Sequence, residues 1–151
     1  MSTFDLAAFK AAFAADKSAA LDETFFKGME DGGANGTWSV WRCTYDYASD
    51  NENLDTTKDV VTSFMNNTKP LADKVFGVML VLQPGLEIEG VWIVNGGDPE
   101  DSLYATTEDT SWFTWSQLGP SMLDVVKKEI TEIMTASTEY KGKTVADVQV
   151  F

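Results

Sequence analysis

Asp50-Asn51-Glu52-Asn53-Leu54-Asp55 sets oxygen-bearing side chains at alternating positions, as a calcium-binding loop does. The glycine that makes such a loop's sharp turn and its closing glutamate are both missing. Asp98-Pro99-Glu100-Asp101 is a second acidic turn and reads as a solvated loop. Asp55-Thr56 and Asp109-Thr110-Ser111 begin like an aspartic-protease loop, yet neither takes the Asp-Thr-Gly form that holds a carboxylate dyad. Gly32-Gly33 and Gly96-Gly97 are turn glycines, because no Gly-Lys-Ser/Thr follows them to cradle a phosphate.

The chain has no histidine. That removes Ser-His-Asp and Cys-His nucleophiles, histidine-ligated zinc or iron, and an imidazole general base. The single cysteine, Cys43, forms no intramolecular disulfide and no multi-cysteine metal site. Its place in an aromatic, strand-like run marks it as a buried packing group and not a reactive thiol. The residues therefore point to no catalytic centre, no metal and no cofactor. An enzyme working with carboxylates alone, through Asp55, Asp98 or Asp109, is the one catalytic alternative they leave.

The tryptophans are the remaining candidates. Trp38, Trp41, Trp92, Trp112 and Trp115 all fall on strands expected from the pattern below, and with Tyr45 they form a candidate interaction surface. Core packing accounts for those that meet a covering helix. Those facing outward would line an aromatic groove for a peptide, and carboxylates at its rim would favour a basic, proline-containing or aromatic one. The groove reading fails if all the indoles share one core.

These residues must be positioned by a chain of 151 residues, the size of one domain, so a single domain over 1–151 is expected. An apolar fraction of 44% with 9 Phe, 5 Trp and 4 Tyr is enough burial to offset chain entropy. The longest uninterrupted apolar run, Val78 to Leu82, is far short of the roughly 18 residues needed to span a bilayer, so no membrane insertion is expected. Met1-Ser2-Thr3-Phe4-Asp5 has neither a cationic start nor an apolar signal core, which makes the cytoplasm the expected location. Without a secretory route, the glycosylation patterns at Asn35-Gly36-Thr37 and Asn66-Asn67-Thr68 carry no weight. With 24 acidic and 11 basic residues the net charge is −13, which disfavours direct binding of nucleic acid and suits a basic protein partner.

Along the chain, Ser2-Thr3-Phe4-Asp5 has capping-box character, and Leu6, Phe9 and Phe13 line one side of a helix ending near Asp16. Leu21 to Met29 predicts a second short helix. Thr37 to Tyr47 alternates as a strand, with Trp41, Cys43, Tyr45 and Tyr47 on one face and Trp38 and Val40 on the other. Ala48 to Thr57 reads as a loop, and Asp59 to Phe76 as a helix broken, kinked or restarted at Pro70. Val75 to Leu82 and Ile88 to Val94 predict two central strands joined at Pro84-Gly85. Ser102 to Thr106 and Ser111 to Leu118 are shorter strand candidates, with a bend between Trp112 and Trp115. Pro120 opens a helix carrying Met122, Val125, Val126, Ile130, Ile133 and Met134, and Val145 to Phe151 adds an edge strand or an extended tail. Grouped strands with helices at both chain ends give an α+β fold, a twisted antiparallel sheet of about five strands.

The same segments, in order, resemble the carboxy-terminal domain of elongation factor 1-gamma. Ser2-Thr3-Phe4, Leu6 and Phe9-Lys10 resemble its opening helix. Trp38-Ser39-Val40-Trp41 with Tyr45 and Tyr47 resembles its Trp-Ser-Leu-Trp strand, and Val75-Phe76 into Val78-Met79-Leu80-Val81-Leu82 its apolar central strand. Ile88-Glu89-Gly90-Val91-Trp92-Ile93-Val94 with Gly96 is similar to its Ser-Gly-Val-Trp-Val-Phe strand, and Phe113-Thr114-Trp115 with Leu118-Gly119-Pro120 to its Tyr-Thr-Trp and Leu-Asp-Pro turn. The resemblance spans nearly the whole chain and is weakest in the last thirty residues. It implies a twisted antiparallel sheet flanked by helices, no catalytic role, and a scaffold or protein-interaction function in translation elongation, with elongation factor 1 subunits among the expected partners.

Three departures accompany it. The 151 residues themselves hold no glutathione-transferase-like half. Ser63-Phe64-Met65-Asn66-Asn67-Thr68 stands where the family usually has Gly-Met-Phe-Gln-Arg-Leu, and the chain is more acidic than the family. The alternative expectation is therefore a domain-only paralogue, an accessory or structural subunit of a different large assembly.

Overall fold

The computed structural model describes residues 5–31, 38–95, 108–119 and 123–151. Its centre is the hairpin of β2 (Val75–Gln83) and β3 (Glu87–Asn95). Side chains alternate across a strand, so Val75, Gly77, Met79 and Val81 face one side and Phe76, Val78, Leu80 and Leu82 the other. Both sides are buried, which is why these segments read as continuous apolar runs and not as an apolar/polar alternation. The remaining strands are β1 (Trp38–Tyr45), β4 (Phe113–Gly119), β5 (Glu139–Tyr140) and β6 (Lys143–Val150). Among the described residues all pairings are antiparallel and the order is β4-β1-β3-β2-β6-β5, six strands where about five were expected.

Helices cover both faces. On the first face lie α1 (Leu6–Ala15), α2 (Lys17–Ala19) running through the π-helical turn Ala20–Phe25 into α3 (Phe26–Asp31), and α5 (Asp124–Met134). Asp5 caps α1, its side chain accepting from the Ala8 amide at 3.0 Å, and Phe9 and Phe13 meet Phe76 edge-on at 5.2 and 5.1 Å between ring centroids. Phe25, Phe26 and Met29 complete this core. On the second face lies α4 (Leu54–Thr68), whose Val61, Phe64 and Met65 pack on Met79, Trp92 and Val94.

Several expectations need correction. The helix expected over 59–76 starts earlier and stops sooner. Asn53 caps it, accepting from the Thr56 amide at 2.9 Å, and Pro70 sits past its end in the 3₁₀ turn Lys69–Leu71. Trp112 is not on a strand; it ends the 3₁₀ turn Glu108–Trp112 that leads into β4. Helix α5 begins at Asp124 after Leu123, and Val125 points to solvent at 68% exposure, while Ile130, Ile133 and Met134 are buried as expected. The carboxy-terminal segment is no loose tail: β6 pairs with β2, and a tight turn at Lys141 and Gly142, with φ of 48° and 80°, joins it to β5. Gly32-Gly33, Gly96-Gly97, the acidic turn 98–101, the strand expected over 102–106, Pro120 and Met122 lie outside the described residues.

Candidate interaction surface

The second face contains a sulfur and aromatic cluster built on two glycines. Gly77 stands opposite Trp92, and a Cβ there would lie 2.2 Å from the indole Cδ2, so the ring lies directly on the Gly77 backbone. Gly90 stands opposite Met79 in the same way, with the Met79 sulfur over its Cα. That sulfur accepts from Trp92 Nε1 at 3.2 Å and from the Cys43 thiol at 3.6 Å. Phe64 of α4 and Phe151 close the cluster at 5.3 and 5.4 Å from Trp92. Burial pushes the Cys43 thiol far up from its ordinary range, so it is not a nucleophile at neutral pH.

From this core an aromatic row runs outward along β1 and β4. Phe64 contacts Phe113 at 5.3 Å and Trp115 at 6.3 Å; Phe113 contacts Tyr45 at 5.3 Å, and Tyr45 contacts Tyr47 at 5.9 Å. The register explains the row, because Tyr45 stands opposite Phe113 and Cys43 opposite Trp115 in the β1–β4 ladder. Exposure rises along it from Trp92, fully buried, to Tyr47 at 48% and the neighbouring Trp112 at 38%. The Asp46 amide donates to the Trp112 carbonyl at 2.9 Å, and Thr114 Oγ1 donates to Asp46 Oδ1 at 2.5 Å, which fixes the Tyr47 loop beside β4. Exposed Asp46, Asp50 and Glu52 belong to the same loop.

The structure thus divides the residues singled out from sequence. Tyr45 and Trp115 belong to the row, Trp112 adjoins it through its backbone carbonyl, and Trp41, half-buried, stands opposite Trp92 on the same face, its Nε1 donating to Ser39 Oγ at 2.8 Å. Trp92 is core and leaves the surface. Trp38 faces the other side of the sheet and packs against the first core. Tyr47, the most exposed aromatic of the row, is not among the residues singled out for the surface; it lies two residues past the end of β1, and its place in the alternation of residues 37–47 is the signal the sequence holds.

The acidic loop 50–55 is used structurally. Asn51 Nδ2 donates to the Leu86 carbonyl at 3.0 Å, and Asn53 is spent capping α4. Among the described residues, no three His, Cys, Asp or Glu side chains come together as a metal site, and no helix is long and apolar enough to cross a membrane. On the first face Arg42 bonds Glu89 and reaches Glu129 Oε1 at 3.2 Å, tying β1 to β3 and α5; Lys143 Nζ donates to Glu87 Oε2 at 2.6 Å. These ion pairs join β1, β3, β6 and α5.

The profile of the family described as "Elongation factor 1 gamma, conserved domain" matches residues 1–98. Among curated relatives, elongation factor 1-gamma 2 and 3 of Oryza sativa subsp. japonica are 25% and 26% identical over 117 residues, and elongation factor 1-gamma of Prunus avium is 22% identical over 116. Each match covers 76% of this chain but 28% of the rice proteins and 27% of the Prunus protein, so the chain spans little more than a quarter of their length.

Proposed function

The chain belongs to the family of the elongation factor 1 gamma conserved domain, and from that premise we propose that it is a non-catalytic protein-interaction module of translation elongation, working in the cytoplasm. The aromatic patch at Tyr45, Tyr47, Trp112 and Trp115 grips a basic segment of its partner. The observation that carries this reading is the row that leaves a buried core and ends on half-exposed rings beside Asp46, Asp50 and Glu52. A ring anchored through neighbours is held rigid, so burying it against a partner costs little conformational entropy. Carboxylates beside it favour lysine and arginine, whose stems lie along the rings while their charges meet the acids.

The non-catalytic part of the proposal rests on side chains that are already committed. The thiol is sealed in the core, and the threonine hydroxyls at 56 and 57 bond the Asn53 carbonyl. Replacement of Asp55 by Asn should leave biological function intact. Affinity purification of the tagged chain with quantitative mass spectrometry tests the link to elongation. Enrichment of elongation factor 1 subunits is expected; a different stable complex without them would assign the chain to that assembly instead.

A further inference from the structure

We infer that the outer edge of β6, on the far side of the sheet from the aromatic patch, is a second docking site that takes up an extended basic strand by β-augmentation. The Phe151 amide donates to the Gly77 carbonyl at 2.9 Å, and Gln149 and Asp147 stand opposite Met79 and Val81. In an antiparallel ladder, residues alternate between bonding inward and outward. Asp147, Gln149 and Phe151 therefore turn their N–H and C=O groups toward β2, and Val148 and Val150 turn theirs away from it. Upstream the ladder shifts by a bulge at Ala146, which puts Val145 and Val148 on the same core side and directs the Val145 amide to the Thr138 carbonyl at 2.9 Å. The pairing with β5 involves Thr144 and Lys143 alone, because Ala136, buried in the first core, pulls the chain away toward α5. Beyond the bulge, no strand among the described residues pairs with this edge.

Soluble proteins usually blunt such an edge with proline or lysine. From Thr144 to Phe151 there is neither, and the one charged side chain, Asp147, is held by Gln149 Nε2 at 3.1 Å on the α4 side. The opposite side offers Val148 and Val150, the latter 46% exposed. An incoming strand would therefore set apolar residues beside the valines and cationic ones beside Asp147, and the net charge of −13 favours the same sign of partner. A second copy of the chain is disfavoured, since pairing these edges would bring two molecules of that charge together.

The test uses the full chain, isotope-labelled, and a short fluorescent peptide alternating lysine and valine, with a glutamate-valine peptide of equal length as control. Saturable binding of the first peptide alone is expected, with the Val148 and Val150 amides shifted and newly protected from hydrogen exchange. Val150→Pro removes an outward donor without touching the β2 ladder, so it should weaken binding roughly tenfold while leaving the circular dichroism unchanged. Gln149→Pro breaks an inward bond and should lower stability instead. Three results would overturn the proposal: binding unaffected by Val150→Pro, amide shifts centred on the Tyr47 loop, or no saturable binding. Sedimentation of the chain alone as a dimer lost on Val150→Pro would give the edge to a second copy and equally overturn it.

Discussion

Replacing Gly77 by alanine tests the architecture beneath the patch. The new Cβ would stand 2.2 Å from Trp92 Cδ2 and 2.4 Å from Cε2 and Cε3. Carbon atoms pack at about 3.5 Å, so the indole must retreat by roughly 1.3 Å. Behind it stand Phe64 and Phe151, with ring centroids at 5.3 and 5.4 Å, and its Nε1 is fixed on the Met79 sulfur at 3.2 Å. Phe64 is fully buried and cannot yield cheaply, while Phe151 is partly buried just past the end of β6. Overpacking of a rigid core costs about 1–3 kcal/mol, and this site belongs at the upper end, about 3 kcal/mol. For a domain of this size that lowers Tm by roughly 6–12 °C. Urea unfolding followed by circular dichroism should show an earlier midpoint with an unchanged slope. Trp92→Phe, which shortens the ring, should destabilise on its own yet recover about 1 kcal/mol or more when combined with Gly77→Ala. A wild-type midpoint for Gly77→Ala, or strictly additive effects in the double variant, would refute the placement of the indole on Gly77.

Other expectations follow from single contacts. Cys43 should resist a thiol reagent in the native protein and react fully once the chain is unfolded, because its thiol is sealed under Met79 and Gly90; rapid native labelling would contradict its burial. Asn53→Ala should cost about 1 kcal/mol in denaturant unfolding by removing the cap of α4. The hydrogen bond to Glu87 raises Lys143 above the ordinary lysine value of 10.5, so this contribution is complete below that value and disappears as pH rises through the raised one. Lys143→Met should flatten the alkaline loss of stability, measured as unfolding midpoint against pH; an unchanged slope would remove the pair as its source.

What the sequence made legible depended on whether a local pattern matched its surroundings. Residues 75–82 and 88–94 are buried on both faces, so their apolar runs alone marked them as central strands. The alternation of β1 correctly separated Trp41, Cys43 and Tyr45 from Trp38 and Val40, because each set meets a different core. The first turn of α4, Leu54-Asp55-Thr56-Thr57, hid among acidic and β-branched residues of weak helix propensity, and only the Asn53 cap signalled its start. The fate of the tryptophans was not local. Trp92 is buried because Gly77 lies opposite it and α4 lies over it, and both facts require the strand register. Tyr47 is exposed because β1 ends at Tyr45, two residues earlier. The ion pairs of Arg42 with Glu89 and Glu129 likewise join residues distant in sequence, and no spacing rule reveals them.

The patch itself is tested most directly by isothermal titration of the chain with an elongation factor 1 subunit, the partner proposed for it, comparing the wild type with the double variant Tyr47→Ala/Trp112→Ala. Both rings are exposed enough for the variant to keep its fold, at 48% and 38%. Two aromatic anchors at the centre of an interface contribute about 2 kcal/mol each, so affinity should fall at least a hundredfold with the circular dichroism unchanged. An affinity equal to that of the wild type would contradict the account and place the contact elsewhere on the domain.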